Sequence, residues 1–240
     1  MIFKLIEELV ELALIVTSLY FVIGTYLRYN QPEWVEPKEK HRLTILFVLI
    51  LIVTIVKVSE DVLNGESGHI DRIILLFIHG LVPSALVSIF EAVTLTGSSR
   101  LLFPLATVVT VALLCAKRRA EALLVSASVL SGAIVIYFVK MMTIRTRPSL
   151  WDTEWYWGSS FPSGHTLAVA AFSTAIVLCV GKIRPKSRNL ALAIAILWVS
   201  FVALSRMVLG VHWPTDVLVA ACIGAFLPLA IRAAIESHVS

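Results

Sequence analysis

Three short segments of the chain combine cations, histidines and a carboxylate in a pattern suited to phosphate chemistry. A phosphoryl group in its transition state spreads negative charge over its equatorial oxygens, and fixed positive groups stabilise that charge. Each segment supplies groups of this kind beside an apolar run. The segments are Lys140 to Pro148, Pro162 to His165 and Ser205 to Asp216. Together they predict a site that binds and transfers a phosphoryl group.

Cations and backbone amides are predicted to bind the phosphate oxygens. Lys140, Arg147 and Arg206 supply the positive charges, and an arginine can contact two oxygens at once. Ser163 and Gly164 open a helix, whose free amides and positive dipole end favour an anion. Gly164 also lets the backbone approach the ligand closely, because it has no Cβ.

Two histidines are predicted to carry the reaction. His212 lies four residues before Asp216, and Pro214 between them suits the first turn of a helix. The carboxylate could hydrogen-bond one ring nitrogen of His212 and make the other a better nucleophile. His165 would protonate the leaving oxygen and later deprotonate water. Since no carboxylate cluster suited to Mg²⁺ lies beside these groups, we expect neither a metal nor a cofactor.

Each of these residues also has an ordinary interpretation when it is taken alone. A single Lys or Arg at the end of a membrane span commonly anchors the helix at the interface. A single His there is commonly solvated, and Ser163 is an ordinary helix cap. The coincidence of all of them favours the functional interpretation. Arg145 does not need that interpretation, and we predict that it is an anchor or a solvated residue.

The apolar runs that must position these segments indicate a membrane protein. The chain of 240 residues is 58% hydrophobic and 15% charged, whereas soluble domains are about 45–50% apolar and about 25% charged. Its mean hydropathy is +0.90. Seven apolar runs, uncharged apart from Asp216 in the last, approach the length of about 20 residues that crosses a bilayer. They are Leu12–Leu27, Leu43–Val56, Leu101–Ala116, Ala122–Val139, Thr166–Gly181, Asn189–Ser205 and Pro214–Ile231. The first run could instead lie along the interface.

The distribution of basic residues predicts the orientation in the membrane. Of the 20 Lys and Arg residues, 12 lie in the loops 28–42, 116–119 and 182–188 and in the C-terminal tail. The positive-inside rule places these loops in the cytoplasm. The site then faces the opposite side. The net charge of +4 is explained by this pattern, so we expect no nucleic-acid partner.

Two further segments keep alternative interpretations at this stage. The connection 57–100 contains an amphipathic stretch around Ile73–Val93, which suits a helix in the outer interface or a cap packed over other loops. The link between the first two motifs holds Trp151, Trp155, Tyr156 and Trp157. Such aromatics favour an interfacial belt, and they could also form a lip that guides a lipid headgroup.

The three motifs resemble the signature of the type-2 phosphatidic acid phosphatase family. They read K-x6-RP from Lys140, PSGH from Pro162 and SR-x5-H-x3-D from Ser205. That family contains membrane lipid phosphate phosphatases and, more distantly, vanadium haloperoxidases. The resemblance implies an all-α membrane bundle with a six-helix core. We expect one domain over 1–240, with the core at about 43–233 and an extra N-terminal helix within 1–28.

The resemblance also implies the role of each matching residue. His212 corresponds to the nucleophile, Asp216 to its orienting partner and His165 to the acid. The phosphate-binding residues are Lys140, Arg147, Ser163, Gly164 and Arg206, with Ser205 of the third motif added. A lipid phosphatase of the bacterial cytoplasmic membrane, with its site on the outer side, follows as the expectation. The alternatives are a lipid phosphotransferase and a non-catalytic protein that binds anionic headgroups. The sequence leaves the lipid substrate and the oligomeric state open.

Overall fold

The computed structural model describes residues 2–30, 42–148, 150–151 and 158–237. The described residues form nine α-helices and no β-strand. The helices are α1 (Ile2–Asn30), α2 (Arg42–Leu63), α3 (Gly68–Leu81), α4 (Val87–Thr96), α5 (Ser99–Cys115), α6 (Arg119–Met142), α7 (Gly164–Ile183), α8 (Arg188–Val208) and α9 (Pro214–Ser237). Each of the seven apolar runs falls on one of these helices. The all-α fold class is therefore confirmed.

Several helices are long and apolar enough to cross a membrane. Within the described ranges there are five, at Leu43–Leu63, Arg119–Met142, Gly164–Ile183, Pro185–Val208 and Pro214–Ser237. A sixth is possible if α3 and α4, which meet at a bend of 92°, count as one broken span. The polytopic membrane architecture is thus confirmed. Val10–Thr25 and Ser99–Cys115 are shorter apolar helical stretches, so crossings there stay predictions.

The chain folds as two compact units, residues 1–66 and 67–240. In the first unit α1 packs against α2 through Val16, Leu49 and Val53. An ion pair joins Lys57 Nζ to Glu11 Oε1 at 3.3 Å. The predicted single domain over 1–240 and its core boundaries stay predictions.

Helix α7 lies at the centre of the second unit and packs against α6, α8 and α9. Small residues permit this close approach, as is usual between membrane helices. A Cβ added to Gly224 of α9 would lie 2.5 Å from the carbonyl oxygen of Leu167 and 2.6 Å from Cβ of Ala170. Such contacts are too short for any side chain, so glycine is required at this crossing.

The connection 57–100 contains the bent pair α3 and α4. Pro83 interrupts it, since the residue before a proline avoids the helical region, and Val82 is extended. Helix α3 packs against α8 and α9, and α4 packs against α8. Of the two interpretations of this connection, the structure therefore supports a packed element of the second unit.

Candidate active site

The four helices α6 to α9 bring the three motifs to one end of the second unit. Lys140 lies in the last turn of α6, and Ser163 is the N-cap of α7. Arg206 lies in the last turn of α8, and Asp216 in the first turn of α9. The opposite ends also meet, since Lys182 Nζ lies 3.6 Å from Glu121 Oε1. The alternation of helix direction therefore gathers residues that are up to 76 positions apart in sequence.

His212 and Asp216 form a buried pair at the start of α9. His212 is 3% exposed and Asp216 is fully buried. Oδ2 of Asp216 accepts the backbone N–H of Trp213 at 2.9 Å, which is the backward bond of a capping box. The same oxygen lies 3.5 Å from Nδ1 of His212, slightly beyond an ordinary hydrogen bond. The other ring nitrogen, Nε2, lies 3.4 Å from Nη1 of Arg147.

Burial keeps the imidazole of His212 neutral. It lowers the pKa of His212 to about 4, whereas the carboxylate of Asp216 acts in the opposite direction and the charge of Arg206 lowers the pKa further. A neutral imidazole keeps a lone pair on one nitrogen. With Nδ1 turned to Asp216, that nitrogen is Nε2, which faces the cations.

Lys140 and Arg147 meet on one side of this pair. Nζ of Lys140 donates to the carbonyl oxygen of Ser159, and Nη2 of Arg147 lies 3.5 Å from the same oxygen. Nη1 of Arg147 donates to the carbonyl of Val211 at 2.8 Å. The loop before α7 and the loop before α9 thus hold both cations beside His212.

Arg206 and His165 are positioned by α4, which sequence reasoning did not connect with the site. Arg206 is 1% exposed, and its Nη1 donates to Oγ1 of Thr94 at 2.7 Å. Gly97 follows α4, and a Cβ there would lie 3.3 Å from Cβ of His165 and 2.8 Å from Val202. Helices α4, α7 and α8 therefore place Arg206 and His165 at the same end of the unit as Lys140, Arg147 and His212.

The two serines and Gly164 have local partners. Oγ of Ser163 lies 3.1 Å from Oγ1 of Thr166, and Oγ of Ser205 donates to the carbonyl of Val202 at 2.7 Å. A Cβ on Gly164 would meet only Ile136, at 3.7 Å. The packing of the protein does not require glycine here. The phosphate-binding roles of all three residues stay predictions.

The interpretation of Arg145 as an anchor or solvated residue is wrong. Its side chain is 14% exposed, and it donates to the carboxylates of Asp71 and Asp216. Asp71 of α3 is fully buried and was missed. A single Asp in an amphipathic helix does not by itself indicate a functional role. Only the tertiary structure shows that Asp71 contacts Arg145 and Thr215 of α9.

The aromatic link is described only in part. The ring of Trp151 stacks on His79 at 4.0 Å between centroids. It also covers Gly210, whose φ is +64° and where a Cβ would lie 2.6 Å from the indole. Trp155, Tyr156 and Trp157 lie outside the described residues. Trp151 therefore packs on the loop that carries His212, and the belt and the lip both stay predictions.

Over the described ranges, no group of three or more His, Cys, Asp or Glu side chains is placed to hold a metal ion. The three cysteines are not paired, with Cys115 exposed and Cys179 and Cys222 buried. The positive charges described at the site are those of Lys140, Arg147 and Arg206. The expectation of a reaction without metal or cofactor stays a prediction for experiment.

Comparison with known proteins finds relatives of the C-terminal part of the chain. Residues 121–238 match the model of the PAP2 superfamily. Phosphatidylglycerophosphatase B of Escherichia coli (strain K12) is 43% identical over 75 residues, which are 31% of this chain and 28% of that protein. The protein of the same name from Shigella flexneri matches to the same extent. The matched segment thus spans less than a third of the curated relatives' length.

Two solved structures share the fold. The first transmembrane PAP2 type phosphatidylglycerolphosphate phosphatase from Bacillus subtilis superposes with a TM-score of 0.73 at 22% identity, over 79% of this chain and 96% of that one. LpxE of Aquifex aeolicus superposes with a TM-score of 0.54 at 21% identity, over 66% and 92%. With its apolar helices, this chain is an integral membrane protein. Its C-terminal part, residues 121–238, is similar to the PAP2 superfamily, and the resemblance predicted from the three motifs is confirmed.

Proposed function

We propose that this protein is a membrane lipid phosphate phosphatase that forms a phosphohistidine on His212. The observation that carries the proposal is the environment of its ring. Nδ1 faces the carboxylate of Asp216, and Nε2 faces Arg147. A neutral nitrogen is thus directed at the place where cations would hold a phosphate.

The reaction has two steps. In the first, Nε2 of His212 attacks phosphorus, the bond from phosphorus to the lipid oxygen breaks, and His165 donates a proton to that oxygen. In the second, His165 takes a proton from water, whose oxygen attacks phosphorus and breaks the bond to Nε2. Inorganic phosphate leaves and the neutral imidazole is restored. Lys140, Arg147 and Arg206 stabilise the charge of both transition states.

The substrate we propose is a glycerophospholipid phosphate monoester of the phosphatidylglycerol phosphate type. The names of the matched relatives from Escherichia coli and Shigella flexneri support this choice. Phosphatidate, polyprenyl diphosphates and the lipid A type are the competing substrates. The excess of basic residues in the loops opposite the site supports an orientation in which the site faces away from the cytoplasm, in a bacterial inner membrane.

Phosphate release from a panel of purified lipids in detergent tests the proposal. We expect release from phosphatidylglycerol phosphate by the wild type and a loss of at least about 10³-fold in H212A, since removal of a nucleophile leaves little catalysis. H69A is the matched control, because His69 is an exposed histidine outside the site. Full activity in H212A would refute the nucleophile. Product that forms only when an acceptor alcohol is added would identify a transferase instead.

The chemistry is expected to run without a divalent metal, because Lys140, Arg147 and Arg206 supply the positive charge that the transition state needs. EDTA should leave phosphate release unchanged, and vanadate should inhibit it as a mimic of the five-coordinate transition state. Inhibition by EDTA that added Mg²⁺ reverses would contradict this mechanism.

A further inference from the structure

Arg145 lies between two buried carboxylates, one of which belongs to the nucleophile pair. Its Nη1 donates to Oδ1 of Asp216 and, at 2.9 Å, to Oγ1 of Thr215. Its Nη2 donates to Oδ2 of Asp71 at 2.5 Å and to Oγ of Ser67 at 3.0 Å. Both terminal nitrogens are therefore engaged with the protein. Two of these partners are carboxylates, whereas Lys140 and Arg147 donate to backbone carbonyl oxygens.

Asp71 extends the same network to the first turn of α9. Its Oδ1 accepts the backbone N–H of Thr215 at 2.9 Å, and its Oδ2 accepts the hydroxyl of Thr215 at 2.7 Å. The residue next to Asp216 is thus bonded to α3. A buried carboxylate without an opposite charge destabilises a protein strongly, and Arg145 supplies that charge to Asp71.

The network determines which way the carboxylate of Asp216 points. Arg145 binds Oδ1, and the N–H of Trp213 binds Oδ2. Rotation of the carboxylate would break both bonds. Oδ2 is therefore left on the side of Nδ1 of His212, at 3.5 Å. The guanidinium group also lies 5.9 Å from the centroid of the Trp213 ring, within the range of a cation–π contact.

We propose that Arg145 and Asp71 are positioning residues that hold Asp216 in the orientation at which it selects the Nδ1–H tautomer of His212. This inference rests on the proposed function, because it assigns the two residues to the same nucleophile. They act through Asp216 and do not bind the substrate. Their removal is therefore expected to slow the chemical step and to leave phosphate binding in place.

The test compares R145Q, R145K, D71N and the double variant D71N/R145Q in detergent. In R145Q we expect kcat to fall by about 10–100-fold, as when partners that orient metal-ligating histidines are removed, with KM and inhibition by vanadate little changed. R145K should recover part of kcat, because lysine keeps the charge but lacks the two-pronged geometry. D71N should lower kcat less, and should add nothing in the R145Q background, since both act through one contact.

R232Q is the matched control, because Arg232 is a partly exposed arginine that pairs with Glu236 at the far end of α9; its activity should equal that of the wild type. A parallel loss of kcat and vanadate inhibition in R145Q would overturn the proposal, since Arg145 would then bind the phosphate. Wild-type kcat in R145Q would also overturn it. If R145Q does not fold, the nearly isosteric D71N replaces it. Wild-type kcat in D71N, or a parallel loss of kcat and vanadate inhibition, would then overturn the proposal.

A second readout separates this inference from the proposed function. In ¹⁵N NMR of histidine-labelled protein, His212 of the wild type should show the Nδ1–H tautomer, and R145Q should show a mixture of tautomers. Wild-type protein that releases no phosphate would refute the function, while the NMR comparison would still decide the positioning role. An unchanged tautomer in R145Q would refute that role.

Discussion

At the scale of single residues, the site combines a neutral nucleophile with several fixed cations. His212 is 3% exposed and lies beside Arg147, so a proton on its ring would be poorly solvated and repelled. Both effects favour the neutral form. A nucleophile of this kind needs no general base to remove a proton from Nε2. It needs only Asp216 to keep the proton on Nδ1.

The protonation state of His212 can be measured directly. Burial lowers its pKa to about 4, from an ordinary value of about 6.5, so the ring should stay neutral as the pH falls from 7 to 5.5. ¹⁵N NMR of histidine-labelled protein is expected to show no titration of His212 in this range, with H212Q used for assignment. A His212 midpoint near 6.5 would contradict the buried neutral nucleophile.

At the scale of elements, the ends of helices supply the chemistry and the crossings of helices fix the distances. Motif residues occupy the last turns of α6 and α8 and the first turns of α7 and α9. The bent pair adds Asp71 from α3 and Thr94 from α4. A shift of α9 along α7 would therefore move Asp216 relative to Ser163, whose N–H donates to the carbonyl of Asp216 at 3.2 Å.

Gly224 tests this dependence on the crossing of α7 and α9. In G224A the new Cβ would lie 2.5 Å from the carbonyl of Leu167, so the helices must separate. Overpacking of this kind costs about 1–3 kcal/mol, and we expect a lower midpoint of thermal unfolding together with reduced activity.

G80A is the control for G224A, because a Cβ on Gly80 of α3 meets nothing within 4 Å. Alanine is favoured over glycine in a helix, so G80A should be as stable as the wild type or slightly more stable. Equal stability of G224A and G80A would show that the close crossing does not constrain the fold.

At the scale of the whole molecule, the helices of the second unit place the basic loop clusters at the end opposite the site. The motif residues lie at one end, and the basic clusters before α6 and before α8 lie at the other. The positive-inside rule then predicts that the site opens on the non-cytoplasmic side. This is the side on which a lipid headgroup of the outer leaflet would be found.

Cys115 provides a native reporter of this orientation. It is exposed at the end of α5, next to the basic residues 117–119. In intact cells we expect a membrane-impermeant maleimide to leave it unlabelled, and to label it after permeabilisation. T146C in a C115A background should show the opposite pattern, since Thr146 is exposed between Arg145 and Arg147. Labelling of Cys115 in intact cells would reverse the predicted orientation.

The sequence by itself determined the seven apolar runs that lie on helices, the three motifs and the predicted roles of nine residues. Apolar runs and motif spacing are local properties of the chain, and His212 and Asp216 lie within one turn of each other. The tertiary structure decided how α3 and α4 take part in the site. Asp71 and Thr94 are separated by 74 and 112 positions from Arg145 and Arg206, and no local pattern links such pairs. In the sequence Arg145 resembles a solvated anchor. Packing buries it between the carboxylates of Asp71 and Asp216, and buried charges require partners of opposite sign.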